Sequence, residues 1–162
     1  MKKGKHSTSN IQHPTPKDSE TAVWEFNEGA GGKRMFDLED RLLEFASAVI
    51  DLSESLPATR AGNHIAGQIL RSGTSPYPNH GEAEAAESRD DFIHKLKICL
   101  KELRETRRWA RLVKREAWMK TETTLLFVLG ECVELIRIFH SSIQTARRNA
   151  ESESRRSSNE TG

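Results

Sequence analysis

An all-α fold, an antiparallel up-down-up-down four-helix bundle, follows from three observations on this chain. Apolar residues recur at alternating spacings of three and four through four separate segments. No stretch alternates apolar with polar residues as a half-buried strand would. Proline, glycine and serine collect between the segments. Short connections between successive helices favour antiparallel neighbours, which gives the up-down order.

The first segment, 38–56, repeats Leu38, Leu42, Phe45, Val49, Leu52 and Leu56, the seam of a helix packed at a shallow crossing angle. Asp37 stands where an N-cap belongs, and Glu39 and Asp40 suit the positive end of the helix dipole. Pro57 stops this helix and suits the first turn of the next. The second segment, 58–72, takes its apolar face from Ile65, Ile69 and Leu70. Gly62, Ala66, Gly67 and Gly73 keep it slim enough for a close neighbour. Pro76 and Pro78 remove two donors, so a joint is expected there, with helix resuming at Asn79 and ending near Glu87. Ser88 with Asp91 at the third helical position resembles a capping box and starts the third segment. Its seam is Phe92, Leu96, Cys99, Leu103, Thr106, Ala110 and Val113. The fourth segment, 121–148, repeats Leu125, Leu129, Cys132, Ile136, Phe139 and Ile143. Leu126, Val133, Leu135 and Ile138 broaden its stripe, as for a helix touching two neighbours or another subunit.

These segments divide the chain into an N-terminal arm (1–34), the bundle (35–148) and a C-terminal tail (149–162). Only 35% of the 162 residues are hydrophobic and the mean hydropathy is −0.68, and the shortfall sits at the two ends. Ordering a backbone costs about 1–2 kcal/mol per residue, which neither end can offset by burial, so both read as disordered. Trp24 and Phe26 are the arm's exceptions, able to dock weakly. The bundle carries 17 Lys and Arg against 17 Asp and Glu. Net charge therefore excludes nothing; its arrangement must carry the reading of partners.

That arrangement is uneven on the third helix. At 100° per residue, Lys97, Lys101, Arg104, Arg108, Arg111 and Arg115 fall within an arc of about 80°, along about 27 Å of axis. Like charges stacked this way repel by a few tenths of a kcal/mol per pair. Glu102 and Glu105 lie off the stripe and relieve it only in part. One reading makes the stripe a phosphate-tracking surface, since the arginine fork suits phosphate oxygens. The other makes it a solvated or paired face, with Glu44, Asp51 and Glu54 of the first helix or acidic groups of another subunit as partners. Trp109 and Trp118 fall on different faces; Trp109, at about 120° on the wheel, borders the core and reads as packing, and base stacking is not supported.

No catalytic apparatus is visible. His80 with Glu82, Glu84 and Glu87 has one-helix ligand spacing, but no second Glu-x-x-His pair completes a two-metal site. His64, His94 and His140 are isolated. Gly29, Gly31 and Gly32 lack the strand and Lys-Ser of a phosphate loop, and the joint's serines lack a histidine–acid pair. Neither enzyme activity, metal nor cofactor is expected. No run approaches the roughly 20 apolar residues of a membrane span, and MKKGKH has no apolar stretch behind it. Cys99 and Cys132 inside helical patterns read as buried free thiols, which fits a reduced, cytoplasmic setting. Arg71, Ser72, Ser75, Asn79 and Glu82 at the joint form either a recognition site or caps holding a broken helix. The second is favoured because Ser and Asn satisfy backbone groups freed by proline.

The run FASAVIDLSESLP, then QILRSGTSPYPNHGEAEAAESRDDFIHKLKICLKELRETRRW, carries fixed polar marks through generic helix. They are Arg71-Ser72, Ser75, Asn79 with Glu82-Ala83, Ser88 with Asp91-Phe92, and Lys101-Glu102 leading to Glu105-Thr106. It resembles the bundle family named for proteins encoded in intervening sequences of bacterial 23S ribosomal RNA genes. The resemblance covers most of the bundle and neither end. It implies a ring-shaped homo-oligomer, with a pentamer favoured, and an RNA or DNA partner. A relative that serves as the accessory subunit of a diversity-generating retroelement reverse transcriptase adds such an enzyme to the implied partners. The expected function is a non-catalytic oligomer binding nucleic acid, or a nucleic-acid enzyme, through the third-helix stripe. The alternative is an interaction scaffold with no nucleic-acid role.

Overall fold

The computed structural model describes residues 38–119 and 122–160. They form five helices: α1 (Leu38–Glu54), α2 (Arg60–Thr74), α3 (Pro76–Glu84), α4 (Arg89–Arg115) and α5 (Thr123–Glu160). No strand occurs among the described residues. Helices α2 and α3 are two parts of one limb, so the bundle has four limbs. The arm with Trp24 and Phe26, the Asp37 cap and Thr121 lie outside the described residues.

The limbs pack as a square. Helix α1 approaches α2, α3 and α5, and α4 approaches the same three, while α1 and α4 stand on a diagonal. The repeats predicted from the sequence fill the interior. Leu42, Phe45, Val49 and Leu52 of α1 are buried, with Leu56 just beyond its end, as are Leu96, Cys99, Leu103, Thr106, Ala110 and Val113 of α4. On α5 the buried row is Leu125, Val128, Cys132, Leu135, Phe139 and Ile143, so Val128, absent from the predicted repeat, and Leu135 take the inner places expected of Leu129 and Ile136. Leu38, Phe92, Leu129 and Ile136 pack at the margin, half-buried. Fully burying such a side chain stabilises by about 1.5–3 kcal/mol, so this layer holds the bundle together.

The second limb departs from the sequence reading. Helix α2 starts at Arg60, behind an N-cap at Thr59 whose Oγ1 accepts from the Gly62 amide at 3.0 Å. Pro57 stands ahead of the cap, not in the first turn, and its carbonyl accepts from the Thr59 amide at 2.7 Å. A Cβ on Gly62 would sit 1.9 Å from that carbonyl oxygen, so the turn requires glycine there. Gly73 marks the close approach of α1, where a Cβ would lie 2.5 Å from a Val49 methyl. Leu70 is 37% exposed and not part of the core.

At the joint, helix resumes at Pro76 instead of Asn79. Ser75 keeps helical dihedrals (φ −59°, ψ −36°), and Pro76 takes the first helical position, where no donor is needed. The Asn79 amide bonds the Ser75 carbonyl at 3.3 Å. Its Nδ2 donates to the same oxygen at 2.8 Å and to Ser75 Oγ at 3.0 Å. Helix α3 then ends at Glu84, short of Glu87.

The last helix runs on where composition predicts a disordered tail. Residues 149–160 continue α5, and Arg89 donates to both carboxylate oxygens of Glu153 at 2.7 and 2.8 Å, fastening the extension to the start of α4. That hydrogen bonding holds the Glu153 carboxyl below its ordinary value. The other end of α4 turns through Ala117 at φ 51°, a left-handed position that usually belongs to glycine.

Candidate nucleic-acid interface

Helix α4 carries the predicted stripe. Ser88 Oγ accepts from the Asp91 amide at 3.2 Å and fixes the helix start, while Asp90 and Asp91 sit in the first turn and Lys114 and Arg115 in the last. Each complements the helix dipole. With the seam turned inward, Lys97, Lys101, Arg104, Arg108, Arg111 and Arg115 are all exposed along the outer side. Their spacing along the axis is about 4.5–6 Å from one to the next.

What lies beside these cations decides their use. Lys101 Nζ is 3.4 Å from Glu102 Oε1, whereas the other five make no ion pair with any described residue. Glu102 is buried and Glu105 half-buried, and both turn toward the second limb. Arg71 bridges them: Nη1 reaches Glu102 Oε2 at 3.5 Å, and Nη2 pairs with Glu105. The carboxylates nearest the stripe are thus engaged from the far side by an arginine of α2. Glu44, Asp51 and Glu54 do not neutralise it either, because α1 stands across the diagonal from α4.

Two depressions flank the stripe. Arg104, Arg107, Arg108 and Arg111 line a shallow basin of about 290 Å³. Arg107 is absent from the sequence reading because its wheel position falls outside the 80° arc; its i+3 and i+4 relation to Arg104 and Arg111 was the available signal. On the other flank, Lys101, Glu105, Arg108, Trp109 and Leu112 line a groove of about 500 Å³. Trp109, read from the sequence as packing, is half-buried and forms a wall of this groove. Its Nε1 donates to Glu105 at 3.5 Å, and His64 of α2 meets it edge-on with ring centroids 6.1 Å apart.

Of the joint residues only Ser72 is buried; Ser75 and Asn79 are half-buried, and Arg71 and Glu82 are exposed. Ser72 Oγ donates to the Gln68 carbonyl at 2.8 Å and accepts from Thr106 Oγ1 of α4 at 2.9 Å. Asn79 and Ser75 bond one another, and Glu82 takes Lys95 of α4 at 2.5 Å, which raises the Lys95 pKa. Arg71, Ser72, Ser75, Asn79 and Glu82 therefore join the second limb to itself and to α4.

Chemistry elsewhere is sparse among the described residues. No cluster of three His, Cys, Asp or Glu side chains is placed to hold a metal. His80 is buried edge-on to Phe139, with Nδ1 3.7 Å from Glu84. Cys99 and Cys132 are free, buried thiols, pushed up to about 12 by desolvation. A thiol so protonated is a packing group, not a nucleophile. No described helix is long and apolar enough to cross a membrane.

The profile of the family described as 23S rRNA-intervening sequence protein matches residues 36–141. The chain belongs to that family. The matched span contains the whole stripe and the joint and stops short of the α5 extension. This family member is also similar to a solved protein of unknown function from the S23 ribosomal protein family of Bacteroides thetaiotaomicron. The two are 38% identical, with a TM-score of 0.60 over 65% of this chain and 97% of that one. No curated protein matches.

Proposed function

We propose that this 23S rRNA-intervening sequence family member is a non-catalytic helical oligomer that binds RNA or single-stranded DNA through the outer face of α4. It acts in the cytoplasm, alone or beside a nucleic-acid enzyme such as a reverse transcriptase. The observation that carries the reading is the row of exposed cations, five of them without an ion-pair partner among the described residues, beside carboxylates already held by Arg71. Unpaired guanidinium groups in a row favour a polyanion, because each phosphate contact releases a condensed counterion.

Self-association is the second part of the proposal, with a homopentamer the favoured size. Leu43 and Ile50 of α1 are 50% and 46% exposed and lie seven residues apart on one side of the helix. Leu126 and Phe127 of α5 are 47% and 40% exposed. Such apolar groups suit the surface of another copy.

The test combines light scattering with a salt-titrated shift of RNA and single-stranded DNA. The logarithm of affinity should fall with the logarithm of salt by about 0.7 per phosphate contact on a single strand. No shift at low salt, with the assembly intact, rejects the proposal. The exposed apolar groups on α1 and α5 also favour a second reading, an interaction scaffold whose stripe meets acidic surfaces of its own copies. That version expects Arg104→Glu with Arg108→Glu to break the assembly, and an unchanged mass would remove it.

A further inference from the structure

Resting on the nucleic-acid reading, we infer that the groove walled by Trp109 accepts one unpaired nucleobase, stacked on the indole, while Lys101 and Arg108 hold the adjoining phosphates. Three features of the groove carry this. Its apolar wall is Trp109 with Leu112, a leucine 36% exposed. Its charged wall is Lys101 and Arg108, both members of the outward row. Its volume of about 500 Å³ falls in the range of small-ligand clefts.

The indole is held before any ligand arrives. His64 fixes it from α2 with rings at 83°, and Glu105 receives its N–H. Ordering a free side chain is thus no part of the cost of binding. Glu105 would repel a phosphate, but its charge is paired with Arg71. An aromatic wall beside two cations matches the pattern of base on ring and phosphate on cation found where proteins hold single strands. A base inside a duplex is already stacked on both faces and cannot enter. The groove therefore turns a general preference for polyanions into a preference for unpaired strands.

The experiment compares a short oligouridylate, its deoxy counterpart, a duplex of equal length and an abasic strand of equal length, each at fixed salt. The wild-type protein should prefer either base-bearing single strand over the abasic strand by about tenfold, the size expected for one stacked base. Trp109→Leu should erase that preference and leave affinity for the abasic strand unchanged, whereas Trp109→Phe, which restores a ring, should keep most of it. Helical content by circular dichroism checks that both variants fold. Equal affinity of the wild type for abasic and base-bearing strands overturns the stacking site and leaves the stripe proposal standing. The same preference in Trp109→Leu as in the wild type also overturns it. Failure of every strand to bind at low salt removes the stripe proposal and the groove with it.

Discussion

Two polar faces of α4 lie a few residues apart and are used in opposite ways. Toward the second limb, Glu102, Glu105 and Thr106 meet Arg71 and Ser72, and Lys95 meets Glu82, each within hydrogen-bond or ion-pair distance. Toward solvent, Arg104, Arg108, Arg111 and Arg115 meet no carboxylate among the described residues. The first face fixes the register of α4 against α2 and α3, since its groups match only at one level. The second contributes nothing to the bundle and stores mild like-charge repulsion. Charge that a fold leaves unmatched, although carboxylates stand nearby, is available to a partner.

Mutations should separate the two faces. The largest effect belongs to the limb that carries the inner face. Gly73→Val forces new methyls into Val49 and should cost about 3 kcal/mol, at the upper end for overpacking, visible as a lower urea midpoint. A midpoint within experimental error of the wild type would refute the close approach. Next, Arg71→Met removes the bridge from Glu102 and Glu105. Because the arginine is more than half exposed, the loss should be limited to about 1 kcal/mol. The freed Glu105 should also weaken nucleic-acid binding, a double effect that no outer-face mutation shares.

On the outer face, Arg104→Gln with Arg111→Gln should move stability by less than about 0.5 kcal/mol while lowering the salt dependence of binding by about two contacts. A large drop in melting temperature would mean that these arginines hold the fold after all. The smallest effect concerns the Arg89–Glu153 pair. A carboxyl whose folded pKa is depressed stabilises above its unfolded pKa and loses that contribution as pH falls through the folded value. The far end of α5 should accordingly loosen below the ordinary glutamate range, while the bundle core stays intact. Amide exchange of residues 150–156 measured against pH reads this, and protection unchanged in acid would show that the pair does not hold the extension.

Much of this was legible in the sequence, and the misses share a cause. The seams of α1, α4 and α5 follow from spacing alone because burial in a bundle repeats with the helix. The outward position of the stripe follows from the same geometry. The second limb differs from its sequence pattern because proline at a first helical position leaves no trace that separates it from proline that breaks a helix. The hydrophobicity of Leu70 predicts a core place, whereas α2 leaves it 37% exposed. The burial of Glu102 and the role of Arg71 depend on a contact 31 residues away in sequence, which no local pattern reports. Trp109 packs against the core as its wheel position predicts, but a wheel does not show that the half-buried ring also walls a groove. The α5 extension likewise rests on Arg89, 64 positions earlier.

The diagonal between α1 and α4 has a consequence for valency. Leu43 and Ile50 face out from the corner opposite the cations, so copies that met through them would leave every α4 face open to solvent. Each added copy would then bring another row of arginines within reach of the same strand. Later contacts would form at the high effective concentration set by the first, so avidity could exceed the affinity of one row by a hundredfold or more, about 10² to 10⁴. Weak binding by a lone subunit would be compatible with tight retention by the assembly.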